Sequence, residues 1–242
     1  MRSTTCHRAV VLTVLLVLAT AGSVRTSAQD KAESPGTGVR TLYLVRHGAY
    51  DYEDERDPAV GKALTPLGVA QARLTAARLR ALPVEVDAIY SSSLTRARET
   101  AFVIAEDFPG RKVEQTDLLV ECQPPSVNEE VDARGSAEEL ETCRAQLAKA
   151  MERFFVSASE GDRHEILVAH GNVIRYLAAS LLGVDPRAWI NMRIGNCSLT
   201  IVQVGPDGTR LIALGDIGHI PANLQTGIDS ELRPLVVTEP RR

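Results

Sequence analysis

Two segments of this chain, Leu44-Val45-Arg46-His47-Gly48 and Leu167-Val168-Ala169-His170-Gly171, share one pattern, a short apolar run that ends in His-Gly. The chain has five histidines, and two of them stand in this context more than 120 residues apart. Apolar runs of four to six residues, bounded by turn formers and by helical patterns, suit strands buried on both faces of a sheet. Thr41–Val45, Ala88–Ser91 and Glu165–Ala169 read as such strands, and the more polar Lys112–Thr116 is a candidate for another strand. Helical patterns lie between them. Thr65 is placed as an N-cap with Pro66 at the first helical position, followed by the stripe Leu67, Ala70, Leu74, Ala77 and Ala81, and Pro83 ends it. Leu94, Ala97, Ala101 and Ile104 mark a second helix closed by Pro109-Gly110. A third runs from about Ala137 to Ser159, and a fourth over Asn172–Leu182 with Gly183 as its stop. Ser198–Val204 and Thr209–Leu214 flank Gly205-Pro206-Asp207-Gly208 and predict a terminal hairpin. This alternation predicts an α/β sandwich with a largely parallel central sheet. Gln123–Gly135, the longest stretch without periodicity, is expected to be a loop over the site.

The ends of the chain read differently. Arg2 and Arg8 precede Ala9–Ala21, an uncharged, mostly apolar run of 13 residues. A bilayer span needs about 20. With Thr26-Ser27-Ala28 as a cleavage site (cleavage after Ala21 is a second option), residues 1–28 read as a signal peptide. The expectation is an exported protein, periplasmic or secreted, with an uncleaved membrane anchor as the alternative. Residues 29–39, rich in Ser, Gly, Pro and charge, read as a flexible leader, 40–225 as one folded domain, and 226–242 as a C-terminal tail. Loss of 1–28 removes three arginines and no acids, which takes the formal charge from −4 to −7. So acidic a chain is a poor partner for nucleic acid. Cys122, Cys143 and Cys197 remain after residue 28. Cys122–Cys143 is the candidate disulfide, whereas the stripe Leu140, Cys143, Leu147, Met151, Phe154 favours plain core packing. The cysteine spacing fits no zinc site. The acidic stretch Asp51, Glu53, Asp54, Glu55, Asp57 lacks the pattern of a cation loop and reads as solvated.

Four polar positions follow strands or strand-like runs: Arg46-His47, Ser91-Ser92-Ser93 with Arg96, Glu121 after Leu118–Val120, and His170. Open parallel sheets bind ligands beyond the carboxyl ends of their strands. Guanidinium forks match phosphate oxygens in a bidentate way, so Arg46 and Arg96 are candidate clamps for a phosphate dianion. Arg96 also stands in the first turn of a helix, where backbone N–H groups favour anions. A neutral imidazole attacks phosphorus, and neighbouring guanidiniums lower the pKa of His47 and keep it neutral. His170 is assigned as donor to a nonbridging oxygen. Glu121 is assigned as proton donor to the leaving oxygen and then as base for the water that cleaves the P–N bond. His164 is expected to be exposed, and His219 receives no role.

These residues resemble the histidine phosphatase superfamily, also called phosphoglycerate-mutase-like. The carriers are Leu44-Val45-Arg46-His47-Gly48, Ala63-Leu-Thr65-Pro-Leu-Gly68, Tyr90-Ser-Ser-Ser-Leu-Thr-Arg96-Ala-Arg-Glu-Thr100, Asp117-Leu-Leu-Val-Glu121 and Ala169-His170-Gly171-Asn172-Val-Ile-Arg175-Tyr176, in family order. Within it the resemblance is to the mitochondrial serine/threonine-protein phosphatase branch, through Tyr50, Asn172–Tyr176 and Leu214–Pro221. It implies a three-layer α/β/α fold and a phosphatase of phosphoproteins or small phosphate monoesters. It also implies His47 as phosphoacceptor, Arg46, Arg96 and His170 as phosphate ligands, Glu121 as proton donor, and no metal or other cofactor. Sugar-phosphate mutases of the family place Ser and Asn soon after Arg-His-Gly, where Tyr50 and Glu53 stand here. A mutase must also hold a second phosphate, and the loops are expected to offer no surplus of basic residues for one. A phosphoglycerate-type mutase and a noncatalytic phospholigand-binding protein are the alternatives.

Overall fold

The computed structural model describes residues 36–56 and 61–228. The signal-peptide reading of 1–28, most of the leader and most of the tail fall outside the described residues. Six strands form one sheet in the order β3-β2-β4-β1-β5-β6. They are β1 (Arg40–Arg46), β2 (Ala88–Ser92), β3 (Val113–Thr116), β4 (Arg163–Ala169), β5 (Leu199–Gly205) and β6 (Gly208–Asp216). β1 to β4 are mutually parallel, and the hairpin β5–β6 adds antiparallel to β1.

Alternation along β1 explains the layers. Leu42 and Leu44 face one side, where they meet α4 (Ala137–Phe154) and α5 (Gly171–Leu181) through Leu147, Ala150, Phe154, Val173, Ile174 and Leu177. Tyr43 and Val45 face the other, against α1 (Pro66–Arg80) and α2 (Thr95–Ala105) through Ala76, Leu79, Ala97, Ala101 and Ile104. Both faces are covered, which is why the central strands read as continuous apolar runs. The result is the three-layer α/β/α sandwich. Helix starts follow the expected chemistry. Thr65 accepts from the Gly68 N–H, and Ser136 with Glu139 forms a capping box on α4.

Several boundaries differ from expectation. α4 stops at Phe154, before Ser159, because Phe155 leaves helical geometry (φ −99°, ψ 47°) and buries its ring in the same core. Leu118–Val120 is no strand. Residues Asp117–Leu119 form a 3-10 turn capped by the Thr116 hydroxyl. The expected loop Gln123–Gly135 contains the short α3 (Glu129–Asp132), capped by Asn128. A 3-10 segment, Pro186–Asn191, had no sequence signal beyond the Asp185-Pro186 cap.

The loop after β1 lies directly on the first turn of α1. A Cβ on Gly68 would sit 2.0 Å from the Ala49 carbonyl oxygen, and one on Gly48 2.6 Å from the Gly68 carbonyl oxygen. Both neighbours are backbone, so neither gives way. Gly68→Ala is therefore expected to destabilise the fold by about 1–3 kcal/mol, read as a lower urea midpoint with an unchanged m-value.

Candidate active site

β1 and β4 pair in parallel with Arg46 opposite Ala169. The next residue of each strand is a histidine, so the register alone puts both imidazoles at one sheet edge. The His47 N–H donates to the Ala169 carbonyl at 3.0 Å. The two rings lie 5.1 Å apart between centroids, and both residues are buried.

His47 Nδ1 lies 2.8 Å from the Gly48 carbonyl oxygen. A carbonyl only accepts, so Nδ1 carries the hydrogen and Nε2 presents its lone pair. That lone pair accepts Arg96 Nε–H at 3.2 Å. Burial, then Arg46 and Arg96, hold the His47 pKa well below the usual histidine value, so the ring is neutral at pH 7. Its backbone is pinned from four sides. Asn196 Nδ2 donates to the His47 carbonyl at 2.9 Å, and the Cys197 N–H to the Arg46 carbonyl at 2.9 Å. The Gly48 N–H reaches Thr100 Oγ1, and the Ala49 N–H reaches Gln71 Oε1. Tyr50 stands edge-on to the His47 ring, and the Arg96 guanidinium lies 5.0 Å over the Tyr50 ring.

His170 caps α5 and places Nε2 2.8 Å from Ser92 Oγ, at the end of β2. Its Nδ1 is buried with no protein partner. Burial, then His47, Arg96 and Arg46, lower its pKa well below the ordinary value. Arg46 NH1 donates to the Ile194 carbonyl at 2.7 Å and the Gly227 carbonyl at 3.3 Å, and its Nε is buried without a protein partner. Gly227 has φ +73°, and a Cβ there would meet Arg46 NH1 at 2.6 Å. Thr226 and Gly227, placed in the tail by the sequence, thus close over the site.

Glu121 follows the 3-10 turn. Its Oε1 is shut from solvent without a hydrogen-bond partner. Burial pushes its pKa up to about 7, against the opposing pull of Arg96, Arg46, Arg175 and the Asn172 N–H. Neighbouring backbone is tied down by Gln146 Nε2 on the Val120 carbonyl and Asn172 Nδ2 on the Cys122 carbonyl. Cys122 is disulfide-bonded to Cys143 of α4. The alternative of plain thiol packing at this pair does not hold in the structure, although Cys143 is also buried in the core.

All five expected residues, Arg46, His47, Arg96, Glu121 and His170, converge. Sequence reasoning missed the groups that hold them: Asn196, Gln71, Thr100 and Gly227. Only Thr100 lay inside a quoted motif, and none has a charge or spacing that announces a role. His219, left without a role, puts Nε2 3.0 Å from Thr75 Oγ1 and 3.2 Å from the Cys197 carbonyl, behind the turn that grips β1. His164 is half-buried against the Tyr43 hydroxyl rather than exposed. Basic residues are also less scarce than expected, since Arg134, Arg175 and Arg193 line the cavity that contains Arg46 and Glu121.

Two buried, neutral imidazoles and two guanidiniums at the carboxyl edge of a parallel sheet define an α/β protein built to hold a phosphoryl group. The family model of the histidine phosphatase superfamily (branch 1) matches residues 42–128 and 123–217, and the chain belongs to that superfamily. It is 34% identical over 197 residues to the mitochondrial serine/threonine-protein phosphatase Pgam5 of Caenorhabditis elegans, covering 79% of this chain and 68% of the relative. Identity to the corresponding Homo sapiens protein is also 34%, over 191 residues, covering 76% of this chain and 64% of the relative. The chain thus spans about two thirds of these relatives' length. Among solved structures, phosphoglycerate mutase from Plasmodium falciparum superposes with a TM-score of 0.53 at 26% identity, covering 76% of this chain and 96% of the other.

These relatives overturn the expectation of an exported, signal-bearing protein, since they are mitochondrial by name. The misreading has a compositional cause. Residues 1–28 hold three arginines, several Ser and Thr and no acid. Organelle-targeting segments share that acid-poor, Arg- and Ser-bearing character.

The disulfide closes a sequence separation of 21 residues. A loop of that length constrains the unfolded chain by about 3 kcal/mol. Urea unfolding of the wild type with and without reductant is expected to show that difference, and the double variant Cys122→Ser/Cys143→Ser is expected to be insensitive to reductant.

Proposed function

We propose that this protein is a phosphomonoester hydrolase that works without a metal, through a phosphohistidine on His47, on phosphoproteins or small phosphate monoesters. One observation carries the reading: His47 is buried and neutral, with its Nδ1 hydrogen committed to the Gly48 carbonyl and its Nε2 lone pair facing Arg96. In the first step Arg46 and Arg96 grip the phosphate, and the Arg96 donor moves from Nε2 onto an oxygen. The Nε2 pair forms the P–N bond as the P–O bond to the leaving group breaks, and the Glu121 carboxyl gives its proton to the departing oxygen. In the second step Glu121, now a carboxylate, takes a proton from water. The hydroxide forms a new P–O bond, the P–N bond breaks, and the electron pair returns to Nε2. With the Ser92 hydroxyl donating to Nε2 of His170, Nδ1 of that ring carries a hydrogen and donates to a nonbridging oxygen. The guanidiniums supply the positive charge that a divalent cation supplies in other phosphatases.

Rapid quench with a phosphomonoester is expected to trap an acid-labile, alkali-stable phosphoryl group on His47, with a burst of released alcohol. Full turnover by His47→Ala would end the proposal, and activity lost to a chelator and restored by a divalent ion would replace it with a metallohydrolase.

The acid assignment makes a separate prediction. A proton donor works only while protonated, so with a pKa of about 7 kcat/KM for alkyl phosphates should decline as pH rises through that value, about tenfold per unit beyond it. Glu121→Gln should lose roughly 10²–10⁴-fold on phosphoserine, whose alkoxide needs the proton. The loss should be far smaller on p-nitrophenyl phosphate, whose leaving group does not. Equal losses on both substrates would assign Glu121 another role.

A further inference from the structure

Glu121 stands on irregular backbone. The 3-10 turn ends at Leu119, and residues 121–126 belong to no helix or strand. The carboxyl has little to aim it directly: Oε1 lacks a hydrogen-bond partner, and the Asn172 N–H acts on the group from the other side. Its direction therefore depends on the main chain that carries it.

That main chain is held by α4. Gln146 Nε2 donates to the Val120 carbonyl at 2.8 Å, and Cys143, three residues earlier on the helix, is bonded to Cys122. Residues three apart lie on one helix face, so a single face of α4 grips the residues on both sides of Glu121. The helix itself is fixed, by its capping box and by Cys143, Leu147, Ala150 and Phe154 in the core. The two grips differ in kind. An amide hydrogen bond competes with water, whereas the disulfide holds the Cα atoms of Cys122 and Cys143 5.6 Å apart. Without it, Cys122 keeps only the bond from Asn172 Nδ2 to its carbonyl, at 3.2 Å.

The two sulfurs also differ in access. Cys143 is 1% exposed. Cys122 is half-buried and lines a crevice of about 770 Å³, with Gln123, Arg134, Leu140 and Thr142 among its other walls.

We propose that Cys122 and Cys143 are positioning residues for the proton donor, and that reduction of their bond by a dithiol slows hydrolysis of esters whose leaving oxygen needs that proton. This rests on the phosphatase reading above and adds a redox dependence to it. A dithiol thiolate attacks Cys122 Sγ from the crevice, the S–S bond breaks, and Cys143 leaves with the electron pair and takes up a proton. The second thiolate of the reductant then attacks the sulfur that the reductant has bound to Cys122. Cys122 departs as a thiolate and is protonated, and the reductant leaves as a cyclic disulfide. Two electrons and two protons have passed to the protein. The freed segment admits water to Glu121. Less burial then opposes Arg96 from α2, Arg46 from β1 and Arg175 from α5, all of which favour the carboxylate. The acid loses its proton at lower pH.

The test measures kcat/KM on phosphoserine and on p-nitrophenyl phosphate for the oxidised protein, for protein held in dithiothreitol, and for Cys122→Ser/Cys143→Ser. Assays run below the unfolding temperature of all three forms, as read by circular dichroism. Reduction is expected to cost about tenfold on phosphoserine and far less on p-nitrophenyl phosphate. The alkaline limb for phosphoserine should move below its value near 7. The double variant should match the reduced protein and ignore reductant, and reoxidation of the wild type with oxidised glutathione should restore the rate. Equal losses on both substrates, an unmoved alkaline limb, or rates indifferent to reductant would overturn the proposal. So would peptide mapping of the oxidised protein that finds both thiols free. If His47→Ala still hydrolyses p-nitrophenyl phosphate, the phosphatase reading fails instead, whatever the redox response.

Discussion

The in-register parallel pairing of β1 with β4 is the contact on which the rest of the site depends. It sets Arg46 opposite Ala169 and so makes neighbours of His47 and His170. A slip of β1 by one residue would turn its apolar side chains toward the wrong helices, since Leu42 and Leu44 serve one layer and Tyr43 and Val45 the other. The two cores therefore enforce the position of the imidazoles without touching them. Other parts of the chain then lock the backbone beyond β1: Thr100 from α2, Gln71 from α1, and Asn196 and Cys197 from the turn before β5. Under the proposed phosphohistidine route His47 must meet phosphorus in line and gains from that rigidity, because misplacement of about 1 Å is costly to rate.

Burial also divides the chemistry between two roles. Removing water penalises whichever form of a group is charged. The same desolvation lowers both histidines and raises Glu121, which yields neutral imidazoles and a carboxyl able to hold a proton near neutrality. Arg46 and Arg96 push the histidines further in the useful direction and oppose the rise at Glu121. The carboxyl stays high because burial outweighs those cations. Tyr50 adds a third wall beside His47, at one of the positions where mutases of the family carry a small polar residue.

Much of this was legible in the sequence, for reasons that can be located. The buried strands and the helices that cover them follow from apolar runs and capping residues, and the two His-Gly contexts mark the sheet edge that carries chemistry. Glu121 was found for a partly wrong reason. The run Leu118–Val120 is apolar because Leu119 is buried, yet it forms a 3-10 turn. The short α3 and the segment Pro186–Asn191 escaped because tertiary hydrogen bonds, such as Trp189 to Pro125, hold them in place of local periodicity. The basic lining escaped because Arg134, Arg175 and Arg193 are apart in sequence and come to line one cavity only after folding. The N-terminal segment misled on location because its composition suits more than one address.

The grip of Gly227 on Arg46 spans 181 positions of the chain. On the role proposed for Arg46, phosphate recognition therefore cannot mature with the first strand alone. While the polypeptide is being made, the arginine beside His47 lacks its second carbonyl until the hairpin and the turn beyond it have emerged and docked. Contacts so distant in sequence carry the loop-closure cost of a long intervening chain. On the role proposed for Arg46, competence for catalysis waits until the last stretch of the described chain has docked.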